Sequence, residues 1–108
     1  RGQIYSSQAS TGNSPAPNWN GGNSYIVNCN ADAIIAVGTN SGQQHGGQYT
    51  LVLRNTSGGT REVSFSDANM IFANNIAPSR IPVGANLVIS MVCTATGGEL
   101  LCTYADFA

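Results

Sequence analysis

The stretch "QYTLVLRNTSGGTREVSFS", residues 48–66, alternates apolar and polar residues on both sides of a Gly-Gly turn. The apolar residues share one face of each predicted strand: Tyr49, Leu51, Leu53, Val63 and Phe65. A period of two is typical of strands with one buried face. With a three-residue loop at Ser57 to Gly59, the pattern predicts a hairpin in which Leu53 lies opposite Val63 and Arg54 opposite Glu62.

The same alternation extends upstream and downstream of this stretch. In "YIVNCNADAIIAV", residues 25–37, the small polar residues 30–32 indicate a bend between two short strands. Residues 67–84 are irregular and contain two prolines, and "ANLVISMVCTATGGELLCTYA", residues 85–105, predicts a second hairpin. No segment has a sustained helical period. We therefore predict an all-β domain over residues 24–108, an antiparallel β-sandwich of about seven short strands.

Residues 1–23 have no periodicity and are rich in Ser, Asn, Gly and Pro, which predicts an irregular polar arm or linker. Trp19 lies within this arm and has two interpretations. It packs the arm onto the body or onto a neighbouring subunit, or it offers a stacking platform for a sugar.

The cysteines near the chain's end also leave alternatives open. If Gly97 and Gly98 form a two-residue turn, Cys93 lies opposite Cys102, so a cross-strand disulfide is geometrically possible. Both residues fall on the predicted core face, and two buried thiols fit equally well. A metal site would need Cys29 and His45 as further ligands, and the cysteine spacing does not match zinc sites. We expect no metal and no cofactor.

The charge composition excludes several classes of function. The chain has no Lys, four Arg and five acidic residues, with a net charge of −1, whereas Asn, Ser, Thr and Gln are abundant. Such a surface lacks the positive field that attracts nucleic acid or an anionic membrane. No apolar run is long enough for membrane insertion. The carboxylates are scattered and no motif pairs two of them for acid–base catalysis, so we expect no enzyme activity.

Residues 46–105 resemble the C-terminal tip domains of bacteriophage tail fibres and related virion fibres. The similarity lies in the "YTLVL" strand after Gly-Gly, the Gly-Gly turn before "VSF", the Pro-containing link, the "AN" before an apolar strand, and the last strand ending in Tyr. The resemblance implies a virion protein, made in a host cytoplasm that keeps thiols reduced. It implies a homotrimeric fibre tip that binds a host cell-surface glycan or protein during attachment.

Two other functions remain in competition with attachment. The first alternative is a structural capsid decoration or trimerisation domain. The second is a secreted bacterial adhesin, in which a Cys93–Cys102 bridge is expected. An apolar second face of the sheet supports subunit contacts, and it comprises Val52, Val88, Val92 and Leu101.

The candidate receptor-binding residues follow from the expected strand directions. These place the two hairpin tips at one end of the domain, and the 38–47 loop, the 67–84 stretch and the C-terminus at the other. Long polar loops on a rigid scaffold favour recognition. The predicted set is Asn40, Gln43, Gln44, His45, Asn74 and Asn75, and the alternative set, on a hairpin tip, is Thr56, Ser57 and Thr60.

Overall fold

The structure, a computed structural model, describes residues 7–108 and is all-β, as predicted. Its strands are β1 (Ser7–Thr11), β2 (Ser24–Cys29), β3 (Ile35–Val37), β4 (Gln48–Asn55), β5 (Arg61–Phe65), β6 (Met70–Phe72), β7 (Arg80–Ile81), β8 (Asn86–Cys93) and β9 (Leu100–Phe107). Two single 3₁₀ turns, Trp19–Gly21 and Ala73–Asn75, are the helical segments of the described chain. No helix in residues 7–108 is long and apolar enough to cross a membrane.

The strands form two mixed sheets, so the predicted antiparallel sandwich of about seven strands is not confirmed. The larger sheet has the order β1-β2-β4-β8-β9-β6 and the smaller one β3-β5-β7. Strands β1, β2 and β4 are parallel neighbours, as are β3 and β5 and also β6 and β9, whereas β4-β8, β8-β9 and β5-β7 are antiparallel. Both kinds of pairing therefore occur in each sheet.

The parallel pairing among β1 to β5 arises because the first half of the chain winds as a coil. Successive strands alternate between the two sheets, from β2 to β3 to β4 to β5. Residues 13–17 continue this winding, because the carbonyls of Asn13, Pro15 and Pro17 accept hydrogen bonds from the amides of Ala36, Gly38 and Ser41. The described part of the predicted arm is thus a turn of a solenoid-like coil.

The predicted β4–β5 hairpin is wrong, because Asn55 turns the chain out of the large sheet. Its side-chain oxygen accepts hydrogen bonds from the amide and hydroxyl of Ser57, and its Nδ2 donates to the carbonyls of Gly59 and Ile81. Asn55 is 2% exposed. The chain then passes from the large sheet to the small sheet, so β5 joins the small sheet instead of pairing with β4.

The second predicted hairpin is present, but its register is shifted by two residues. Cys93 pairs with Leu100, and Cys102 pairs with Met91. The turn holds four residues, 95–98, and Gly97 supplies its left-handed backbone with φ 70°. A shift of two keeps every side chain on its predicted face, but the two cysteines are no longer opposite each other.

One hydrophobic core lies between the two sheets. The large sheet contributes Leu51, Leu53, Leu87 and Ile89, and the small sheet contributes Ile35, Val37, Val63 and Ile81, all buried. Except for Ile81, which lies in the stretch predicted to be irregular, these are the faces that the alternation predicts. At about 25 cal/mol per Å² of buried apolar area, this shared core is the main stabilising term of the fold.

The ends of the domain differ from the prediction, because the two turns lie at opposite ends. The amide of Gly97 donates to the Gln43 carbonyl, so the 95–98 turn is beside the 38–47 loop. The 56–60 turn lies at the other end with residues 81–84, and there β9 also ends, because Phe107 pairs with Asn86 next to Arg54.

Candidate ligand-binding groove

A concave groove of about 800 Å³ lies on the outer face of the large sheet, the face that points away from the core. We call it the sheet groove. Its lining residues come from β4, β6, β8, β9 and the turn after β6: Gln48, Tyr49, Thr50, Ile71, Phe72, Ala73, Asn74, Asn75, Ser90, Met91, Val92, Leu101, Cys102 and Thr103. None of these side chains carries a formal charge. The size is that of a small-molecule or oligosaccharide site.

The floor of the sheet groove is a row of aliphatic side chains. In the strand register Val92 lies beside Leu101, and Leu101 beside Ile71. All three are exposed, at 44%, 46% and 38%. Gln48 ends the row on β4. Apolar side chains in adjacent strands lie about 5 Å apart, so the row offers a continuous apolar surface.

The next row of the same face consists of hydroxyl side chains. Ser24, Thr50, Ser90 and Thr103 are successive register partners on β2, β4, β8 and β9, and we call them the hydroxyl row. A further row, Ile26, Val52, Val88 and Ala105, is apolar again. The face therefore alternates between apolar and hydroxyl-bearing rows. Each hydroxyl can both donate and accept a hydrogen bond.

Asn74 and Asn75 form one wall of the groove. Both have left-handed backbones, with φ 59° and 58°, and both are exposed. Among non-glycine residues Asn tolerates this conformation best, because its short side chain bonds locally. The two amides therefore stand on a tight turn beside the aliphatic floor, as two of the six predicted site residues.

The structure gives Asn40 an internal role that conflicts with the prediction of ligand contact. Asn40 is 5% exposed, its Oδ1 accepts from Trp19 Nε1 at 2.9 Å, and its Nδ2 donates to Asp67 Oδ2 at 3.0 Å. Trp19 is itself 3% exposed and packs on Tyr25 and Tyr49. Trp19 thus fixes the preceding segment to the body, and the alternative of an exposed sugar platform is wrong.

The carboxylate of Asp67 completes this network. Burial acts to raise the pKa of Asp67, but hydrogen bonds from the Asn40 side chain and from the amides of Asn40 and Asn69 outweigh it, and the pKa is lowered. The charged form is therefore the one that the fold stabilises. The Asp67 carboxylate binds Asn40 in the 38–47 loop, and Asn40 in turn binds Trp19. The network therefore connects three segments of the chain: residue 19, the 38–47 loop and the start of the 67–84 stretch.

The rest of the 38–47 loop packs on its surroundings and does not project from them. Gln43 is 1% exposed and its Nε2 donates to the Gly98 carbonyl, so it is not available to a ligand as predicted. Gly42 has φ 77°, and a Cβ there would lie 2.7 Å from the Asn20 amide nitrogen. Gln44 is half-buried and His45 is exposed, with their amides bonded to Tyr49 Oη and Thr96 Oγ1.

The alternative set is divided in a similar way. Ser57 is 8% exposed and accepts a hydrogen bond from Arg61 Nε, whereas Thr56 and Thr60 are exposed. Arg61 also forms an ion pair with Asp32 at 2.8 Å, instead of the predicted pair of Arg54 with Glu62. The 56–60 turn therefore presents only two of the three predicted side chains.

Cys29, Cys93 and Cys102 are buried and free. Burial raises the pKa of Cys29 to about 11, and burial, with a smaller contribution from the Asp67 charge, raises the pKa of Cys102 to about 12. Such thiols stay protonated and unreactive at neutral pH. Within residues 7–108 no three His, Cys, Asp or Glu side chains are grouped to hold a metal ion.

No protein-family model, no curated protein and no solved structure matches the chain. The sheet groove therefore has to be interpreted from its own geometry. The sequence pattern had placed Val92 and Leu101 on a second apolar face and had placed Asn74 and Asn75 among the candidates. It missed Gln48, Thr50, Ser90 and Thr103, although their outward positions in the alternation were the available signal.

Proposed function

We propose that this chain is a recognition domain of a virion fibre tip, and that it binds a neutral host cell-surface glycan in the sheet groove. The observation that carries the proposal is the composition of the groove, with an aliphatic floor, hydroxyl and amide side chains around it, and no formal charge on any lining residue. Ligand pockets are mostly apolar with a few placed polar groups, and a groove with this composition suits an uncharged, hydroxyl-rich ligand.

The ligand class follows from the chemistry of the two rows. A sugar ring has an apolar face of C–H groups and an edge of hydroxyls. The floor at Val92 and Leu101 matches the apolar face, and the hydroxyls of Ser90 and Thr103 lie one row away to bond the edge. Asn74 and Asn75 add two amides, each with donors and an acceptor. A phosphorylated or sulfated ligand would find no cation among the lining residues.

Two further points support the assignment to a virion fibre. The resemblance of residues 46–105 to fibre tip domains covers β4, β6, β8 and most of β9, the strands that line the groove. The low charge and the abundance of Asn, Ser and Thr are also suited to recognition outside a cell without attraction to nucleic acid. On these grounds we propose that the protein is located in the virion.

The experiment is a glycan array with the purified chain, followed by titration of the best ligand against two matched double variants. Ser90→Ala with Thr103→Val removes two groove hydroxyls, and we expect about tenfold weaker binding, the loss of about 1.4 kcal/mol. Thr56→Ala with Thr60→Ala removes two hydroxyls from the opposite end and should bind as the unmodified chain does. Loss of binding in the second variant alone would place the site on the 56–60 turn.

A structural role is the second candidate, and the exposure of Val92 and Leu101 favours it. Apolar side chains in a sheet face are often covered by another subunit. In a homotrimerisation domain, Val92→Ser with Leu101→Ser would dissociate a trimer seen by light scattering. An array without any ligand and a stable trimer would together favour this role over glycan binding.

A further inference from the structure

We propose that a second copy of this chain pairs with the free edge of β9, so that two β9 strands run antiparallel about a twofold axis through Ala105. This inference is independent of the glycan proposal, and it predicts a twofold dimer in place of the homotrimer that the resemblance implies. It rests on the hydrogen-bonding groups that β9 leaves open and on the register in which they complement themselves.

β9 is longer than the strand that covers its outer edge. It has eight residues, but β6 pairs only with Leu100 to Cys102. In the described part of the chain no strand pairs with residues 103–107 on that side, although the Ala73–Asn75 turn, which follows β6, contacts β9. All five of these residues are exposed. Backbone groups at such an edge are a template for another strand.

The pattern of bonds identifies the open groups. The amide of Leu100 donates toward the β6 side, to Asn69 O at 2.8 Å. Because backbone groups alternate in direction along a strand, those of Tyr104 and Asp106 also point to that side. The groups of Thr103 and Ala105 point to β8 instead. The free edge therefore offers two N–H donors and two carbonyl acceptors.

The sequence of this edge protects it only weakly. Natural sheets block exposed edges with charged side chains, Pro, bulges, or a covering helix or loop. Residues 103–107, "TYADF", contain no Lys, Arg, Pro or Gly and one charged side chain, Asp106. By contrast, the edge strands β6 and β7 have only three and two residues.

One register satisfies all of the open groups. With the axis at Ala105, each Tyr104 faces Asp106 of the second copy, both backbones exchange their hydrogen bonds, and the Tyr104 hydroxyl can donate to the Asp106 carboxylate. An axis at Asp106 would set two carboxylates against each other, which is unfavourable. An axis at Tyr104 would require Cys102, whose edge β6 already covers.

The pair would join the two large sheets into one continuous sheet. Both sheet grooves would then lie on the same surface, on either side of the β9–β9 contact. Two binding sites held on one rigid body increase the avidity for a dense surface ligand without any change in the single-site affinity.

Disulfide trapping tests the register directly. In this arrangement the two Ala105 residues form a non-hydrogen-bonded pair with Cα atoms about 4.5 Å apart, within reach of a disulfide. Ala105→Cys should therefore give a covalent dimer under mild oxidation. Thr103→Cys is the matched control on the same exposed face, and its Cα atoms would be about 13 Å apart, four residues along the strand. Equal yields at the two positions, or no dimer at position 105, would overturn the proposal.

A second variant removes one hydrogen-bond donor from the free edge of β9 and leaves the hydrogen bonds between β8 and β9 unchanged. Asp106→Pro deletes one outward N–H, a position where Pro is tolerated. We expect light scattering to show a dimer for the unmodified chain and a monomer for this variant, with the melting temperature preserved. A variant that dimerises as strongly as the unmodified chain, or an unmodified chain that is a trimer or a monomer at micromolar concentration, would overturn the proposal.

Discussion

The two sheets share one core but present very different surfaces to solvent. The outer face of the large sheet alternates aliphatic and hydroxyl rows, and its one charged side chain, Arg54, lies in the last row, away from the sheet groove. The small sheet has Arg61, Glu62 and Arg80 in its strands, and Asp32 beside it. A chain with so few charges thus places several of them on the smaller sheet.

This difference in charge between the two sheets indicates which surface is better suited to bind a ligand. Charged side chains hold their hydration shell and are costly to desolvate, whereas an uncharged row of Val, Leu, Ser and Thr loses little when a ligand covers it. The small sheet is therefore suited to remain in water and the large sheet to be covered. Several variants test this contrast, from the largest expected effect to the smallest.

The contrast should vanish on the inner faces, because both sheets build the same core. Leu51→Ala in the large sheet and Ile35→Ala in the small sheet should each lower the free energy of unfolding by about 2–5 kcal/mol, since both side chains are fully buried. Thr50→Ala, the neighbour that points outward, should be close to neutral. Urea unfolding measures all three. Equal losses at positions 50 and 51 would show that the inner and outer faces are assigned wrongly.

The buried charge at Asp67 should affect stability far more than the exposed charges of the small sheet. Its pKa is lower when folded than when unfolded, so its ionised form stabilises the fold above about pH 4. That contribution is lost as the pH falls through the folded pKa. Asp67→Asn should cost about 1–3 kcal/mol at neutral pH and flatten the acid side of the stability profile.

The measurement is urea unfolding between pH 2 and pH 7, with Glu62→Gln as the control. Glu62 is exposed in the small sheet, and its replacement should leave the profile close to that of the unmodified chain. A profile in which Glu62→Gln and Asp67→Asn behave alike would contradict the role of the Asn40–Asp67 network.

A charge introduced into the neutral face should weaken ligand binding. Leu101→Asp places a carboxylate in the floor of the sheet groove, and we expect the affinity for a neutral glycan to fall by about tenfold or more, because the carboxylate must be desolvated. Ser64→Asp places the same charge on the exposed side of β5 and should change nothing. Calorimetric titration of both variants compares the two faces, and equal affinities would remove the reason for preferring the large sheet.

The smallest effects on stability and on glycan binding are expected for substitutions of the exposed charged residues of the small sheet. Glu62 and Arg80 are register partners on β5 and β7, and both are exposed. Glu62→Gln and Arg80→Gln should each change stability by less than about 1 kcal/mol and leave glycan binding unaltered. A larger loss of binding at Arg80 would point to an anionic ligand on the small sheet.

Much of the fold was readable from the alternation, and the part that was not has a clear physical cause. Period two showed which face of each strand is buried, and the burial of Leu51, Leu53 and Val63 follows it. It contains no information on which strand is the neighbour. The chain turns away from β4 at Asn55, because the Asn55 side-chain amide donates hydrogen bonds to the carbonyls of Ile81 and Pro82, which are remote in sequence.

The candidate site was harder to predict, since polarity does not distinguish a binding amide from a buried one. Asn40 and Gln43 were predicted as site residues because they are polar and lie in a loop. The partners of Asn40 are Trp19 and Asp67, the partner of Gln43 is Gly98, and all three lie in other segments. Asn74 and Asn75 were chosen on the same grounds and lie at the groove. The hydroxyl row could not be found from one strand, because its members come from four.

The position of the arginines has a consequence for how the protein resists digestion. Trypsin cuts after Lys or Arg in extended, unpaired chain, and this sequence has no Lys. Of its four Arg residues, Arg54, Arg61 and Arg80 lie inside paired strands β4, β5 and β7. Cleavage at these three bonds requires the sheets to open first, so its rate reports the opening equilibrium. The folded β-sheets are thereby shielded from proteases of tryptic specificity for as long as they stay closed.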